Sequence, residues 1–290
     1  MSWRTIVISR SAKLDYKLDY LVVRQQEITR IHLSEISILM IESTAVSLTA
    51  VLLNELIRRK IKVLFCDEKR NPSAELLPYY GSHDTSAKVR KQTEWTEETK
   101  KMVWTEIVTE KIRKQMEFLK RLGKEEYHLL EEYIEQMTPG DSTNREGHAA
   151  KVYFNALFGM KFTRASDCPY NAALNYGYGL LLSACNREIT ANGYITQLGL
   201  FHDNMFNQFN LGSDLMEPLR ILADIQVHKM KPEKFDHEEK MQMVDMLNQE
   251  VMIDGKKNYL NNAIKIYCRS VFDAVNEQDV SLIRFYRNEL

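Results

Sequence analysis

The sequence of 290 residues lacks the features that mark several common classes of protein. Its longest apolar runs are much shorter than the ~20 residues of a membrane-spanning helix, and its charged N-terminus does not resemble a signal peptide. The four cysteines lie far apart and form no CxxC pair, which argues against a zinc ribbon. The net charge of −1 gives no overall positive field, so any surface that binds a polyanion has to be local. These absences predict a cytoplasmic protein with no membrane association, whose cysteines are small buried hydrophobic residues.

The composition is that of an ordinary globular protein, with 44% hydrophobic and 27% charged residues. Residues 1–80 hold short β-branched and aromatic runs with polar breaks between them, a pattern typical of a small β-sandwich. The polar segment Gly81–Ser86 stands where the periodicity changes from two to about 3.6, which indicates a linker. We therefore predict an α+β protein with a β-sandwich domain at residues 1–85 and an all-α domain at residues 86–290.

Propensity and spacing also predict the individual elements. Strands are expected at Trp3–Ile8, Tyr20–Arg24, Ile28–His32, Ile36–Ile41, 61–69 and Leu76–Tyr80, and one helix begins after Thr44. Beyond the linker, strong helix formers predict helices at Glu94–Gly123, Glu125–Met137, Ser142–Gly159, Pro169–Asn192, Ser213–Met230, His237–Val251 and Asn258–Asn276. The helix from Pro169 carries a face of small residues, and we expect it to be central.

Four polar residues in the second half of the chain stand where a core has no use for them. Glu146 opens one predicted helix, Asp214 and Glu217 open another, and His202 lies in a Phe-rich turn. Carboxylates and an imidazole, brought together by helix packing, form a site for a divalent metal.

Each of these residues also has an ordinary explanation. Glu146 ends the pattern Thr143–Glu146, which fits a capping box, and Asp214 could cap the next helix in the same way. A single histidine such as His202 is more often structural than a ligand. The residues gain weight only as a set.

The segment Lys111–Lys124 holds six basic residues and one acidic residue. Its apolar positions give it a core face, which leaves a basic face directed outward: Arg113, Lys114, Lys120, Arg121 and Lys124. Such a face is either a solvated helix surface or a surface that follows the phosphates of a nucleic acid.

Four motifs resemble those of one known family. They are NREGHAAKVYF around Glu146, NYGYGLL in the central helix, the turn GLFH that ends in His202, and FNLGSDLMEPLR with its two acids. The sequence resembles the CRISPR adaptation integrases, metal-dependent endonucleases that insert new spacers, and most of all the variant of type II systems. The resemblance spans essentially the whole chain and implies the same two-part fold.

The resemblance also implies the site and its partners. By this resemblance, Glu146, His202 and Glu217 are the expected ligands of Mg²⁺ or Mn²⁺. Many relatives have aspartate at the position of Glu217, so Asp214 is the alternative ligand. The reaction becomes attack by the 3′-hydroxyl of a short double-stranded DNA fragment on a phosphate at a CRISPR repeat. The expected assembly is a homodimer, formed through the β domain, on a small ferredoxin-like CRISPR-associated dimer in a prokaryotic cytoplasm. Lys120, Arg121, Lys124 and Arg220 are candidate DNA contacts.

Three alternatives stay open on the sequence alone. Arg220 could belong to a surface ladder of ion pairs with Glu217 and Asp224. The protein could be a metal-dependent phosphodiesterase that cuts nucleic acids without integration. It could also be a non-catalytic DNA-binding scaffold whose acids only cap helices.

Overall fold

The N-terminal part of the protein is a pair of four-stranded sheets that enclose one helix. A computed structural model describes residues 3–78 and 82–287. Its first elements are β1 (Arg4–Ile8), β2 (Ala12–Lys17), β3 (Tyr20–Arg24), β4 (Ile28–His32), β5 (Ile36–Ile41), β6 (Val46–Leu48), α1 (Ala50–Arg58), β7 (Lys62–Cys66) and β8 (Pro72–Leu76). One sheet has the order β1-β5-β7-β8 and the other β4-β3-β2-β6. In the first sheet Leu39 of β5 pairs with Ile6 of β1 and Val63 of β7, both in parallel register.

The remaining elements are mostly helices. They are α2 (Thr85–Thr93), α3 (Glu97–Arg121), α4 (Tyr127–Glu135), α5 (Arg145–Phe158), α6 (Pro169–Ala191), α7 (Asn210–Leu215), α8 (Arg220–Met230), α9 (His237–Asp245), β9 (Glu250–Ile253), β10 (Lys256–Tyr259) and α10 (Leu260–Glu277). The predicted α+β fold, with N-terminal strands and a larger helical part, is confirmed. The prediction that residues 86–290 are all-α is wrong, because β9 and β10 pair there. Within the described ranges, no helix is both long and apolar enough to span a membrane.

Strand β5 joins the two parts of the protein, because all six of its residues are buried. Neighbouring side chains on a strand point to opposite faces of the sheet. Leu39 and Ile41 pack into the core between the two sheets, whereas Ile38 and Met40 pack into the core of the helices. The hydroxyl of Tyr176 on α6 also donates to the sulfur of Met40 at 3.6 Å. The N-terminal sheets therefore pack against α6 through β5. The division of the chain into two domains at residues 85 and 86 stays a prediction.

Several predicted boundaries are wrong for identifiable reasons. The helix predicted after Thr44 begins only at Ala50, because Val46–Leu48 pairs with β2 and the hydroxyl of Thr49 then caps the helix at 3.3 Å. The strand predicted at Leu76–Tyr80 ends at Leu76; its last two residues, like Gly81 of the predicted linker, lie outside the described residues. Thr85, assigned to the linker, already starts α2.

Two predicted helices are interrupted. The helix predicted at Ser213–Met230 is broken by Pro218, which lacks the N–H of a helix interior, so that a short 3₁₀ helix at Glu217–Leu219 separates α7 from α8. The helix predicted at His237–Val251 stops at Asp245. The strands β9 and β10 follow it as a hairpin around Asp254 and Gly255, which have φ values of 52° and 70°. An Asp-Gly pair is a strong sequence signal for a hairpin, so this hairpin was predictable from the sequence.

Candidate active site

The three residues predicted to bind metal line one open cavity among the helices. Glu146 lies in the first turn of α5, Glu217 begins the 3₁₀ helix after α7, and His202 lies in the loop between α6 and α7. The cavity has a volume of about 280 Å³. Its charged lining also includes Lys111, Arg164, Arg220 and Asp224. Residues far apart in sequence thus form one polar pocket.

The two glutamates share a single cation, the ammonium of Lys111 on α3. Its Nζ donates to Oε1 of Glu146 and, at 2.5 Å, to Oε2 of Glu217. Oε1 of Glu217 accepts a further hydrogen bond from Nε of Arg220 at 2.9 Å, and a second guanidinium nitrogen of Arg220 forms an ion pair with it at 2.8 Å. Burial alone raises the pKa of Glu217, but the adjacent Lys111 and Arg220 outweigh it and lower that pKa to about 2. Glu217 is therefore charged at neutral pH, as a metal ligand must be.

The carboxylate of Glu146 is available to the cavity because another acid caps α5. Oδ1 of Asp141 accepts the N–H of Arg145 at 2.7 Å, and Oδ2 accepts the N–H of Glu146 at 3.0 Å. Asn144, the residue before the helix, is in the left-handed region with φ 54° and makes no side-chain cap. The capping box predicted for Glu146 is therefore absent, and its side chain turns to Lys111 instead.

His202 is held by Asp214, which is fully buried. Oδ1 of Asp214 accepts from Nδ1 of His202 at 2.6 Å and from the backbone N–H of His202 at 3.1 Å. Oδ2 accepts the backbone N–H groups of Leu200 at 2.5 Å and Phe201 at 3.2 Å. The hydrogen bond from Asp214 raises the pKa of His202 against the opposing effect of burial. Because Nδ1 is engaged, Nε2 is the ring nitrogen left for a ligand, an arrangement common at metal-binding histidines.

The prediction that Asp214 caps a helix is wrong. Asp214 lies inside α7, which begins at Asn210. Both of its carboxylate oxygens are occupied by the GLFH turn, so Asp214 acts on the site by orienting His202. This geometry favours Glu217 over Asp214 as the ligand, and the ligand assignment itself stays a prediction.

Aromatic packing supports the same turn from the other side. The ring of Phe201 stacks on Trp104 of α3 with centroids 4.5 Å apart, and the ring of His202 meets Trp104 edge-on at 5.7 Å. The imidazole is thus fixed by a hydrogen bond and by an aromatic contact, which limits its rotation.

Arg220 lies beside the buried acids Glu217 and Asp224, so the alternative of a surface ladder of ion pairs is wrong. Its guanidinium lies 4.6 Å from the ring centroid of Tyr178, whose hydroxyl donates to Oδ1 of Asp224 at 2.5 Å. Asp224 is only 1% exposed, and its Oδ2 has no hydrogen-bond partner. Nearby, the guanidinium of Arg164 donates to the side-chain oxygens of Asn171 and Asn175 on α6.

Asp224 makes stability depend on pH. Burial raises its pKa to about 6 from an ordinary value of 3.8, against the lowering effect of the Tyr178 hydrogen bond. Its contribution to stability is present below pH 3.8 and is lost as the pH rises through about 6. Asp224→Asn resembles the protonated acid, so we expect it to raise the free energy of unfolding by up to about 3 kcal/mol at neutral pH. Denaturant titrations should show little gain near pH 4; a gain independent of pH would contradict this origin.

Sequence reasoning missed Lys111 as a site residue. Lys111 belongs to the basic run, yet it lies on the buried stripe of α3 with Trp104, Val108 and Gln115. A lysine on a buried stripe needs acidic partners, and that is the signal the sequence offered.

Comparison with known proteins identifies the family. The sequence profile described as CRISPR associated protein Cas1 matches residues 5–254. The chain belongs to the Cas1 family. It is 38% identical over 229 residues to the CRISPR-associated endonuclease Cas1 of Neisseria meningitidis serogroup C (strain 8013). The aligned region covers 78% of this chain and 75% of that protein. The family inferred from the four motifs is confirmed, as are the enzyme class and the function in CRISPR adaptation.

Solved structures of Cas1 and related proteins share the fold. A Cas1 protein from Thermotoga maritima superposes with a TM-score of 0.74 at 16% identity, over 94% of this chain and 97% of that one. A casposase bound to its integration product superposes with a TM-score of 0.76 at 18% identity, over 97% and 93% of the two chains. The two-part architecture is therefore a property of the fold and tolerates wide divergence in sequence.

The basic helix of this Cas1 protein differs in part from the prediction. Lys114, expected on the outer face, is 7% exposed and donates to the carbonyl oxygen of Tyr286 at 2.6 Å. Lys120, Arg121 and Lys124 are exposed at the end of α3, and the ammonium of Lys120 lies 5.3 Å from the ring centroid of Tyr127. Lys114 is therefore not on the exposed basic face, whereas Lys120, Arg121 and Lys124 are exposed and Arg113 is half-exposed.

The donor atoms fit a hard divalent cation. Two carboxylates would supply oxygen ligands and one imidazole a nitrogen, and the ammonium of Lys111 marks where a positive charge is stabilised between the carboxylates. In the described part of the chain, no three acidic, histidine or cysteine side chains are already arranged around one ion position. The Nζ of Lys111 contacts Glu146 and Glu217 together.

Proposed function

We propose that this Cas1 protein is a divalent-metal-dependent DNA endonuclease and integrase that joins the 3′-hydroxyl ends of short DNA fragments to a CRISPR repeat by transesterification. Its catalytic residues and metal ligands are Glu146, His202 and Glu217, and its ion is Mg²⁺ or Mn²⁺. The observation that carries the proposal is the cation position shared by two carboxylates in a cavity that His202 also lines.

The chain's own residues orient the reactants and supply charge. When bound, a divalent cation polarises the attacked phosphate and offsets charge on the attacking and leaving oxygens. His202, fixed through Nδ1, presents Nε2 either as a ligand or as a carrier of the proton from the attacking hydroxyl. Arg220 and Arg164 line the cavity with planar guanidinium groups, which suit phosphate oxygens in two-point contacts.

The exposed end of α3 is the proposed surface for the DNA backbone. Replacing Lys120, Arg121 and Lys124 together by alanine should weaken binding to all DNA sequences alike, because phosphate contacts carry no sequence information. The slope of log affinity against log salt should become shallower by about 1 to 3, since each phosphate contact contributes about 0.9. Fluorescence anisotropy at several salt concentrations measures both effects.

The matched control removes three exposed lysines elsewhere, Lys17 in β2 and Lys256 and Lys257 in β10. That variant has the same change in net charge, so it should keep the parental slope. An equal loss of slope in both variants would mean that overall charge, and not the end of α3, determines binding.

The assembly follows from the chemistry of insertion. Joining a fragment to both strands of a repeat requires two active sites at a fixed distance, which a homodimer on a small ferredoxin-like CRISPR-associated dimer provides in the prokaryotic cytoplasm. The β domain is the proposed dimer module. Its described sheets end in the strands β1, β8, β4 and β6, and a sheet edge gains by being covered.

Strand transfer into a plasmid that carries a CRISPR repeat tests the function. The purified protein, the partner dimer, a short DNA duplex with 3′-hydroxyl ends and Mn²⁺ should give joined product. A product consisting only of cuts would support the phosphodiesterase alternative. The absence of both joining and cutting would support the non-catalytic scaffold.

A further inference from the structure

Lys111 is a buried lysine whose ammonium lies at the centre of the active site. The residue is 7% exposed, and its Nζ contacts Glu146 and Glu217, residues on two other elements. Taking an ammonium out of water is costly unless acidic groups compensate it. The carboxylates of Glu146 and Glu217 lie within ion-pair distance of Nζ and supply that compensation.

The two carboxylates depend on Lys111 as much as it depends on them. Glu217 has a second cationic partner in Arg220, which binds its Oε1. Glu146, in contrast, makes its ion pair with Lys111 and with no other cation among the described residues. Without Lys111, Glu146 and Glu217 would face each other with one positive charge fewer between them, and like charges at short distance repel.

We propose that Lys111 is an internal counter-cation that holds Glu146 and Glu217 together before a divalent ion binds and leaves the position between them when the ion binds. This inference rests on the proposed function, because it requires that these carboxylates are the metal ligands. The metal and the ammonium compete for the same oxygen atoms, so Lys111 weakens metal binding while it stabilises the metal-free fold.

The cavity offers the displaced ammonium another acceptor. Gln115 lies one helical turn after Lys111 on the same face of α3, and it lines the same cavity. Its side-chain oxygen Oε1 is buried and has no hydrogen-bond partner. A buried amide oxygen without a partner is costly. Movement of Nζ toward Gln115 satisfies this oxygen and keeps a positive charge in the cavity, where it can contact a substrate phosphate.

Lys111→Met tests the proposal, because methionine keeps much of the length of the side chain and removes its charge. Calorimetric titration with Mn²⁺ should give a dissociation constant at least about tenfold lower than that of the parent protein, since the competing charge is gone. In EDTA the melting temperature of the variant should fall. Mn²⁺ should then raise that temperature by more than it does in the parent protein.

Lys114→Met is the matched control. Lys114 is equally buried, three residues further along α3, but it bonds Glu110 and the carbonyl oxygen of Tyr286 and does not line the cavity. This variant should lose stability with and without Mn²⁺ and bind the ion with parental affinity. Lys111→Gln, which keeps N–H donors for the carboxylates, supplies the affinity measurement if Lys111→Met does not fold in EDTA.

The possible results separate this inference from the proposed function. Parental or weaker Mn²⁺ affinity in both Lys111 variants would overturn the role of Lys111 and leave the metal site intact. Mn²⁺ binding by none of the proteins, parent included, would overturn both the metal site and the counter-cation. Tighter binding in the Lys114 control as well would show a general effect of charge on α3 and would also overturn the specific role of Lys111.

Discussion

Replacing Glu217 by glutamine is expected to reduce strand transfer by about 100-fold or more, because the proposed site loses a charged ligand where charge develops in the transition state. If Glu146 and Glu217 repelled each other in the metal-free protein, removing one charge would raise the free energy of unfolding. The contacts of Glu217 predict a decrease instead. Glu217 offsets the ammonium of Lys111 and the guanidinium of Arg220. Glutamine leaves these buried cations with less compensation, and we expect the free energy of unfolding to fall by about 2 kcal/mol.

Both effects can be measured on the same preparation, by strand-transfer rates titrated against Mn²⁺ and by denaturant unfolding in EDTA. The control is Glu188→Gln. Glu188 is 3% exposed and pairs with Arg187, but it does not line the cavity. Its loss should lower stability and leave the rate at saturating metal unchanged. A fully active Glu217→Gln protein would remove Glu217 from the proposed ligand set.

Replacing Asp214 by asparagine should reduce both activity and stability, although the two side chains have nearly the same shape. The carboxylate of Asp214 accepts the Nδ1 hydrogen of His202 and three backbone N–H groups. Asparagine puts an NH₂ group where one oxygen accepts, so at least one buried donor loses its partner at a cost of about 1–3 kcal/mol. Loss of the carboxylate behind a metal-binding histidine typically costs 10- to 100-fold, and we expect about that loss of strand transfer here.

Two further variants isolate the cause. His202→Ala should abolish activity while it leaves the buried Asp214 bonded to the Leu200 and Phe201 amides, so its loss of stability should be smaller. Asp224→Asn, at another buried acid of the same cavity, should change stability at neutral pH in the opposite direction to Asp214→Asn. An Asp214→Asn protein with parental stability would contradict the conclusion that the four hydrogen bonds accepted by Asp214 stabilise the fold. The helix-cap interpretation of the sequence predicts that result, since Asn and Asp cap about equally well.

The sequence predicts most of the fold because strands and helices leave local signals. The β-branched run of β3 and the long helical spacing of α3 can be read without any tertiary contact. One error falls where a distant partner decides, because Val46–Leu48 looks like the start of a helix until β2 pairs with it. The helix predicted at His237–Val251 is a different error, since it overran the local Asp-Gly signal of the β9–β10 hairpin. Propensity is a weak prior, and such pairings override it.

The residue types of the active site were likewise evident from the sequence, but their partners were not. Glu146 and Glu217 stand out at the starts of predicted helices and His202 in a Phe-rich turn, and a motif can be recognised by local spacing. The contacts of Lys111 with Glu146 and Glu217 instead span 35 and 106 residues of the chain. The hydrogen bond between Nδ1 of His202 and Asp214 depends on a turn that folds back onto α7. Sequence by itself therefore determined the family, the fold class and the candidate ligands. Only the packing of α3 against α5 and the 3₁₀ helix decided which charges compensate one another. The reason is that the energy of a buried charge depends on its nearest neighbours in space.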